Sequence, residues 1–394
     1  MPDIKIPKSE FQTRAEEIKD AMKRDNIDVV FVYGDEYRKE NLRYVSNYWP
    51  IFERGGFVMG VDTAPIVLCA PEGEKVAHEM SAWPDIRLIP DFLCVTVPDV
   101  IEYPLATYTS FKKLALELTK GKPCRLAIAG SDAMSASLLN SIKQSFNAEI
   151  VDYNHVLFQL RLIKTNNEIA CLREAARIAE TGFKAMMDEN IIGKTERYAA
   201  GIAEGVARKE GAEAIIFNVF GSGERTNTIV GRPENKIIKD GDMIMCALAI
   251  QYEGYVSTCE IPYAVGNYSE KTKRVVTTLI NASAAGLPFL KAGLPMKQFV
   301  TAVRDYFRKE DLSQYDVYPP LHGIGCAEAE SPYPNEGTDA VFEEGMTVNT
   351  DISLFGLEGG SNRVEESFVV TKDGAETLSP FSRSYYKKWL QEEK

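Results

Sequence analysis

A change of texture near residue 160 constrains this chain more than any other feature. Before it, short apolar runs alternate with amphipathic helical segments. After it come two long helices and then strand-rich sequence with Gly and Pro turns. The junction carries its own start signal. Thr165-Asn166-Asn167-Glu168 is a T-x-x-E capping box, in which the Thr hydroxyl and the Glu carboxylate satisfy the exposed N–H groups of a helix start. Ile169, Leu172, Ala176, Ile178 and Ala179 then recur at helical spacing. The spacing predicts two domains, 1–158 and 159–394.

In the first domain the pattern predicts a helix from Glu10 to Arg24, with Phe11, Ala15, Ile18, Ala21 and Met22 on its inner face. Strands are expected at Val29–Val32, Gly56–Val61, Pro65–Ala70 and Leu126–Ala129, and a helix through Leu138–Ser145. This alternation reads as an α/β domain. In the second, a helix near Ala199–Lys209 is followed by strands at Met243–Ile250, Met346–Phe355 and Ser367–Thr371. One further helical region is expected at Lys271–Leu290. Helices followed by antiparallel-type strands read as α+β.

Composition narrows the function. The formal net charge of −12 disfavours phosphate backbones, so no nucleic-acid partner is expected. The apolar runs are all shorter than a membrane span, and the N-terminus has no apolar signal core. The seven cysteines, Cys94 among them, are an odd number without CxxC spacing. They read as reduced thiols in a cytoplasmic protein.

The second half resembles the creatinase/prolidase/aminopeptidase P superfamily, whose catalytic domain has the pita-bread fold. The resemblance rests on Arg161-Leu-Ile-Lys164, Gly241-Asp242 with Tyr252-Glu-Gly-Tyr255, and His322-Gly-Ile-Gly325 with Glu330 and Pro332. Glu344-Gly-Met346 and Arg363-Val-Glu365 complete it. It implies an α/β N-terminal domain followed by an α+β pita-bread C-terminal domain. The family's metallopeptidases hold two ions with Asp, Asp, His, Glu and Glu. Those positions carry over to Ala247, Thr258, His322, Asp351 and Glu365. Ala has no donor atom, and a Thr hydroxyl is a poor bridging ligand. No metal and no other cofactor is therefore expected.

Within the superfamily the site pattern looks most similar to creatinase, which works without metal. The expectation is a creatinase-like hydrolase of a C–N bond in a small guanidino or amidino zwitterion. The resemblance implies catalytic roles for Glu260, Glu365 and His322, with the substrate cation between Glu260 and Glu365. Phe52 and Arg54 look like a Phe-x-Arg that a partner N-terminal domain sends into the site of a homodimer; a solvated loop is the alternative for Arg54. Asp351, Tyr252 and Arg225 are further candidate substrate contacts. The family's loop His is absent, with Val230 near its place, and Ala329 replaces a second His. Cys246 and Cys259 flank the site, as nucleophiles or as inert buried thiols. Two other readings stay open: an inactive binding protein, and a Xaa-Pro peptidase-like hydrolase with a degenerate single-ion site.

Overall fold

The computed structural model describes residues 4–93 and 107–392; Cys94 lies outside them. The chain divides into two compact units, one of residues 6–161 and one of residues 162–394 together with 1–5.

The N-terminal unit runs α1 (Lys8–Asp25), β1 (Val29–Asp35), α2 (Glu40–Ser46), β2 (Arg54–Gly60), β3 (Ile66–Cys69), α3 (Glu74–Met80) and β4 (Ile86–Leu88). It continues with α4 (Phe111–Thr119), β5 (Cys124–Ala129), α5 (Ala136–Phe146), β6 (Ala148–Asp152) and α6 (Asn154–Leu160). Its six strands form one sheet in the order β4-β3-β2-β1-β5-β6. The sheet is mixed, because β1, β2 and β3 pair antiparallel while β5 joins β1, and β6 joins β5, in parallel. β1 is buried on both faces, which is why its sequence reads as an unbroken apolar run rather than an alternation.

The C-terminal unit opens with α7 (Asn166–Asp188) and α8 (Glu196–Lys209), then β7 (Ala214–Ser222), β8 (Met243–Tyr252), β9 (Tyr255–Cys259) and β10 (Tyr263–Ala264). It continues through α9 (Glu270–Gly286), α10 (Met296–Lys309), β11 (Leu321–Gly323), β12 (Thr347–Thr350), β13 (Ile352–Leu354) and β14 (Asn362–Val364). β15 (Ser367–Val370), β16 (Ala375–Thr377) and α11 (Pro380–Glu392) close it. The capping box at α7 forms, with Thr165 Oγ1 accepting from the Glu168 amide and Glu168 Oε2 accepting from the Thr165 amide. The helices cover one face of the β7–β8–β9 sheet. On β8, Ile244, Cys246, Leu248 and Ile250 join the helix-covered core, so by strand alternation Met245, Ala247 and Ala249 face the other way, toward the site.

The single strand expected at Met346–Phe355 is two strands. β12 pairs with β11 and β15, whereas β13 pairs with β14. Asp351 is the residue between them, where the chain leaves one sheet for another. In the C-terminal unit two helices have no counterpart in the sequence expectations: α10, whose buried Met296, Phe299, Val300, Val303 and Phe307 recur at helical spacing, and α11. No helix among the described residues is long and apolar enough to cross a membrane.

Candidate active site

A cavity of ≈ 950 Å³ opens in the C-terminal unit. Its floor carries His322, Glu328, Asp351, Arg363 and Glu365. Phe217, Val230, Tyr318, Pro319 and Tyr333 contribute apolar wall.

His322 lies in the middle of β11, directly opposite Asn349 of β12. Its Nδ1 is 3.0 Å from the Gly323 carbonyl oxygen. A carbonyl can only accept, so Nδ1 carries the hydrogen and Nε2 is the nitrogen left for chemistry. Nε2 faces Glu328 Oε1 at 3.9 Å. The ring lies beside Tyr333, with centroids 6.5 Å apart. Glu328 is in turn held by Thr258, whose hydroxyl donates to Oε1 at 2.9 Å.

The residues around His322 are crowded. A Cβ at Gly323 would fall 2.2 Å from the Ser331 carbonyl oxygen, and one at Gly325 2.4 Å from Glu330 Oε1. Both glycines of the His-Gly-x-Gly block are thus demanded by close approach. Behind them Lys164 and Glu330 form a buried ion pair at 2.8 Å.

The other half of the floor is built where the end of β9 meets the end of β14. The Glu260 amide donates to the Glu365 carbonyl at 3.2 Å, and the Glu365 amide returns a bond to Glu260 at 3.0 Å. This pairing sets the two carboxylates side by side. The sequence reading expected a substrate cation between them, but the protein supplies its own. Arg363 Nε lies 2.5 Å from Glu260 Oε2 and 3.2 Å from Glu365 Oε1, and its Nη1 is 3.6 Å from Asp351 Oδ1. Its Nη2 donates to the Ile229 carbonyl at 3.2 Å. Asn349 Nδ2 donates to Glu365 Oε2 at 3.3 Å, and Asn349 Oδ1 accepts from Ser367 at 3.0 Å.

Burial pushes Glu260 up to about 7; Arg363 pulls against it, and Asp351 adds to the rise. Burial likewise raises Glu365, with Asp351 and Glu260 reinforcing it against Arg363. For Arg363 burial opposes the charge, yet the three carboxylates outweigh it and hold its pKa above the ordinary guanidinium range.

Two candidates of the C-terminal unit, Arg225 and Tyr252, lie outside the cavity lining. Arg225 is used up holding its own loop, with Nε 3.2 Å from both Glu196 oxygens, Nη1 3.1 Å from Glu234 and Nη2 2.8 Å from the Arg232 carbonyl. It steadies the loop that brings Val230 to the cavity and does not line the cavity itself. Tyr252 ends β8 at the hairpin, opposite Tyr255, away from the floor. Phe52 and Arg54 belong to the N-terminal unit. Phe52 is 70% exposed with a φ of 62°, and Arg54 donates to the Leu93 carbonyl at 3.2 Å. Cys246 and Cys259 are buried, and burial raises both thiols well above 9.0, which leaves neither as a nucleophile. Arg363, Glu328 and Asn349 were not read as site residues. Arg363 and Glu365 share one strand face at i, i+2 spacing, and that was the available signal.

Residues 14–163 match the creatinase/prolidase N-terminal domain, and residues 170–372 match metallopeptidase family M24. The chain belongs to metallopeptidase family M24. It is 26% identical over 376 residues to a Xaa-Pro dipeptidase of Pyrococcus furiosus, covering 95% of this chain and 99% of that one. It is 30% identical over 234 residues to an uncharacterized peptidase, YqhT, of Bacillus subtilis, covering 59% of this chain and 66% of that protein. Among solved structures, a Xaa-Pro dipeptidase from Bacillus anthracis superposes with a TM-score of 0.79 at 24% identity, covering 94% and 97% of the two chains. The prolidase from Pyrococcus horikoshii gives 0.78 at 22%, covering 93% and 98%. These likenesses establish the M24 fold: a creatinase-type α/β domain followed by an α+β pita-bread domain.

The expectation of a metal-independent, creatinase-like amidinohydrolase is overturned. Relatives along nearly the whole chain are Xaa-Pro dipeptidases of a metallopeptidase family. The physical reason lies in the floor, where the slot read as a guanidinium-binding place is filled by Arg363.

The M24 name implies metal ions, and the residues present do not fit a bridged pair. Ala247 offers no donor, the Thr258 hydroxyl is engaged by Glu328, and a guanidinium stands among the remaining carboxylates. Among the described residues no three His, Cys, Asp or Glu side chains converge as a metal ion requires.

Proposed function

We propose that this M24 protein is a hydrolase of small, dipeptide-sized substrates, acting at a peptide-type C–N bond. The observation that carries this reading is the cavity itself: a proton-handling pair, His322 and Glu328, at the floor of a space of ≈ 950 Å³ with aromatic and proline walls. Concave, mostly apolar sites with a few convergent polar groups suit small ligands. The walls suit a flat apolar ring such as that of a prolyl residue, and relatives named Xaa-Pro dipeptidases support that substrate class.

His322 Nε2 is the group that moves the proton. A water oxygen bonds to the carbonyl carbon as the C–N bond breaks. The proton released by water passes through Nε2 to the departing nitrogen, and Glu328 stabilises the imidazolium in between.

The test is turnover of a panel of Xaa-Pro and proline-free dipeptides, with melting temperature read alongside. We expect cleavage of at least one class and a loss of about 100-fold or more in kcat/KM for His322→Ala. Glu328→Gln loses activity in the same direction with unchanged melting. Stabilisation by dipeptides without cleavage would make this a binding protein and overturn the hydrolase. Neither binding nor cleavage would overturn the substrate class as well.

A further inference from the structure

The floor of the cavity poses an electrostatic problem. Glu260, Asp351 and Glu365 are all at least nine-tenths buried, and each faces the Arg363 guanidinium. Carboxylates so placed need either protons or a cation between them.

Three observations identify the cation. Arg363 reaches all three acids at once, through Nε to Glu260 and Glu365 and through Nη1 toward Asp351. It is itself buried, and its guanidinium lies 5.7 Å from the Phe355 ring centroid, so packing holds it as well as charge. The two positions that would complete a bridged metal pair are Ala247 and Thr258, so the anionic charge needed to balance two divalent ions is missing. Against the three acids present, one fixed positive charge with hydrogen-bonding N–H groups matches better than two mobile dications without bridging oxygens.

We infer that Arg363 is the resident cation of this M24 site and takes the place of a divalent metal pair. The site is assembled from the chain alone, and its floor stays ordered in chelator. This holds whichever substrate the cavity accepts, so it stands or falls separately from the activity proposed above.

The test uses full-length protein stripped with EDTA and titrated calorimetrically with MnCl₂ and with CoCl₂, with bound metal counted by atomic emission. Wild type is expected to retain well under one equivalent and to melt at the same temperature with and without either salt. Arg363→Met is expected to melt lower, with Arg363→Lys recovering part of the loss. The triple variant Ala247→Asp, Thr258→Asp, Arg363→Met is expected to bind about two equivalents. Two tightly held equivalents in wild type would overturn the inference, as would an Arg363→Met protein that melts like wild type. The wild-type titration needs no variant to fold and decides by itself.

Discussion

Gly323 follows His322 in β11, and its α-carbon faces the Ser331 carbonyl so closely that a methyl group would sit 2.2 Å from the oxygen and 2.6 Å from the carbon. Both are backbone atoms, so nothing flexible can move aside. Gly323→Ala is expected to cost about 3 kcal/mol, the upper end for overpacking, because the strand that aims His322 must shift. Urea unfolding of the variant checks the magnitude; a change under about 0.5 kcal/mol would mean the strand gives way easily. Here the sequence motif and the structure agree: a His-Gly-x-Gly spacing is visible in the chain, and close approach is the reason for its glycines. Glu328 was not visible in the same way. It sits six residues beyond His322 on a turn, and only the Thr258 hydroxyl across the sheet shows why it points inward.

Among the elements, α7 was the most legible, because a capping box and a 3.6-residue apolar period are both local signals. Its first turn is also tied to the sheet, since Glu168 Oε1 accepts from the Tyr255 hydroxyl at 2.8 Å. Thr165→Ala removes one half of the reciprocal cap. A loss of about 1 kcal/mol is expected, which for a unit of this size is a drop of about 2–4 °C in Tm. Differential scanning calorimetry of the full chain would show it, and no measurable drop would mean the Tyr255 bond alone holds the turn. The β12–β13 break at Asp351 was illegible for the opposite reason. Thr347 to Leu354 is continuously buried, so no alternation marks where the chain changes sheets. Only pairing with β11 and β15 on one side and β14 on the other divides it.

Across the whole molecule, the N-terminal unit stores a charge cost far in sequence from the active-site floor. Glu53 is buried, and burial raises its carboxyl from the ordinary 4.5 to about 7; the Gly73 amide, donating to Oε2 at 2.9 Å, opposes the rise, and the Glu72 carboxylate adds to it while the Glu72 amide opposes it. A folded-state pKa above the unfolded value means the folded chain holds the proton longer. This contribution to stability is complete below pH 4.5 and is lost as pH rises from 4.5 to about 7. Glu53→Gln should flatten that part of the stability profile, read by urea melts between these pH values. A variant profile as steep as wild type would assign the slope to other groups.

The two textures, the capping box and the spacing of Ala247, Thr258, His322, Asp351 and Glu365 were determined by the sequence alone, because each is a local pattern or a fixed interval. They were enough to specify the M24 fold, a creatinase-type α/β domain followed by a pita-bread domain. The partner of the surviving acids was decided only in the tertiary structure. Arg363 and Glu260 are 103 positions apart, and their contact exists because β9 and β14 end against each other. A charge pair formed across that interval leaves no period or motif in the chain, since Coulomb attraction depends on distance in space and not on separation in sequence.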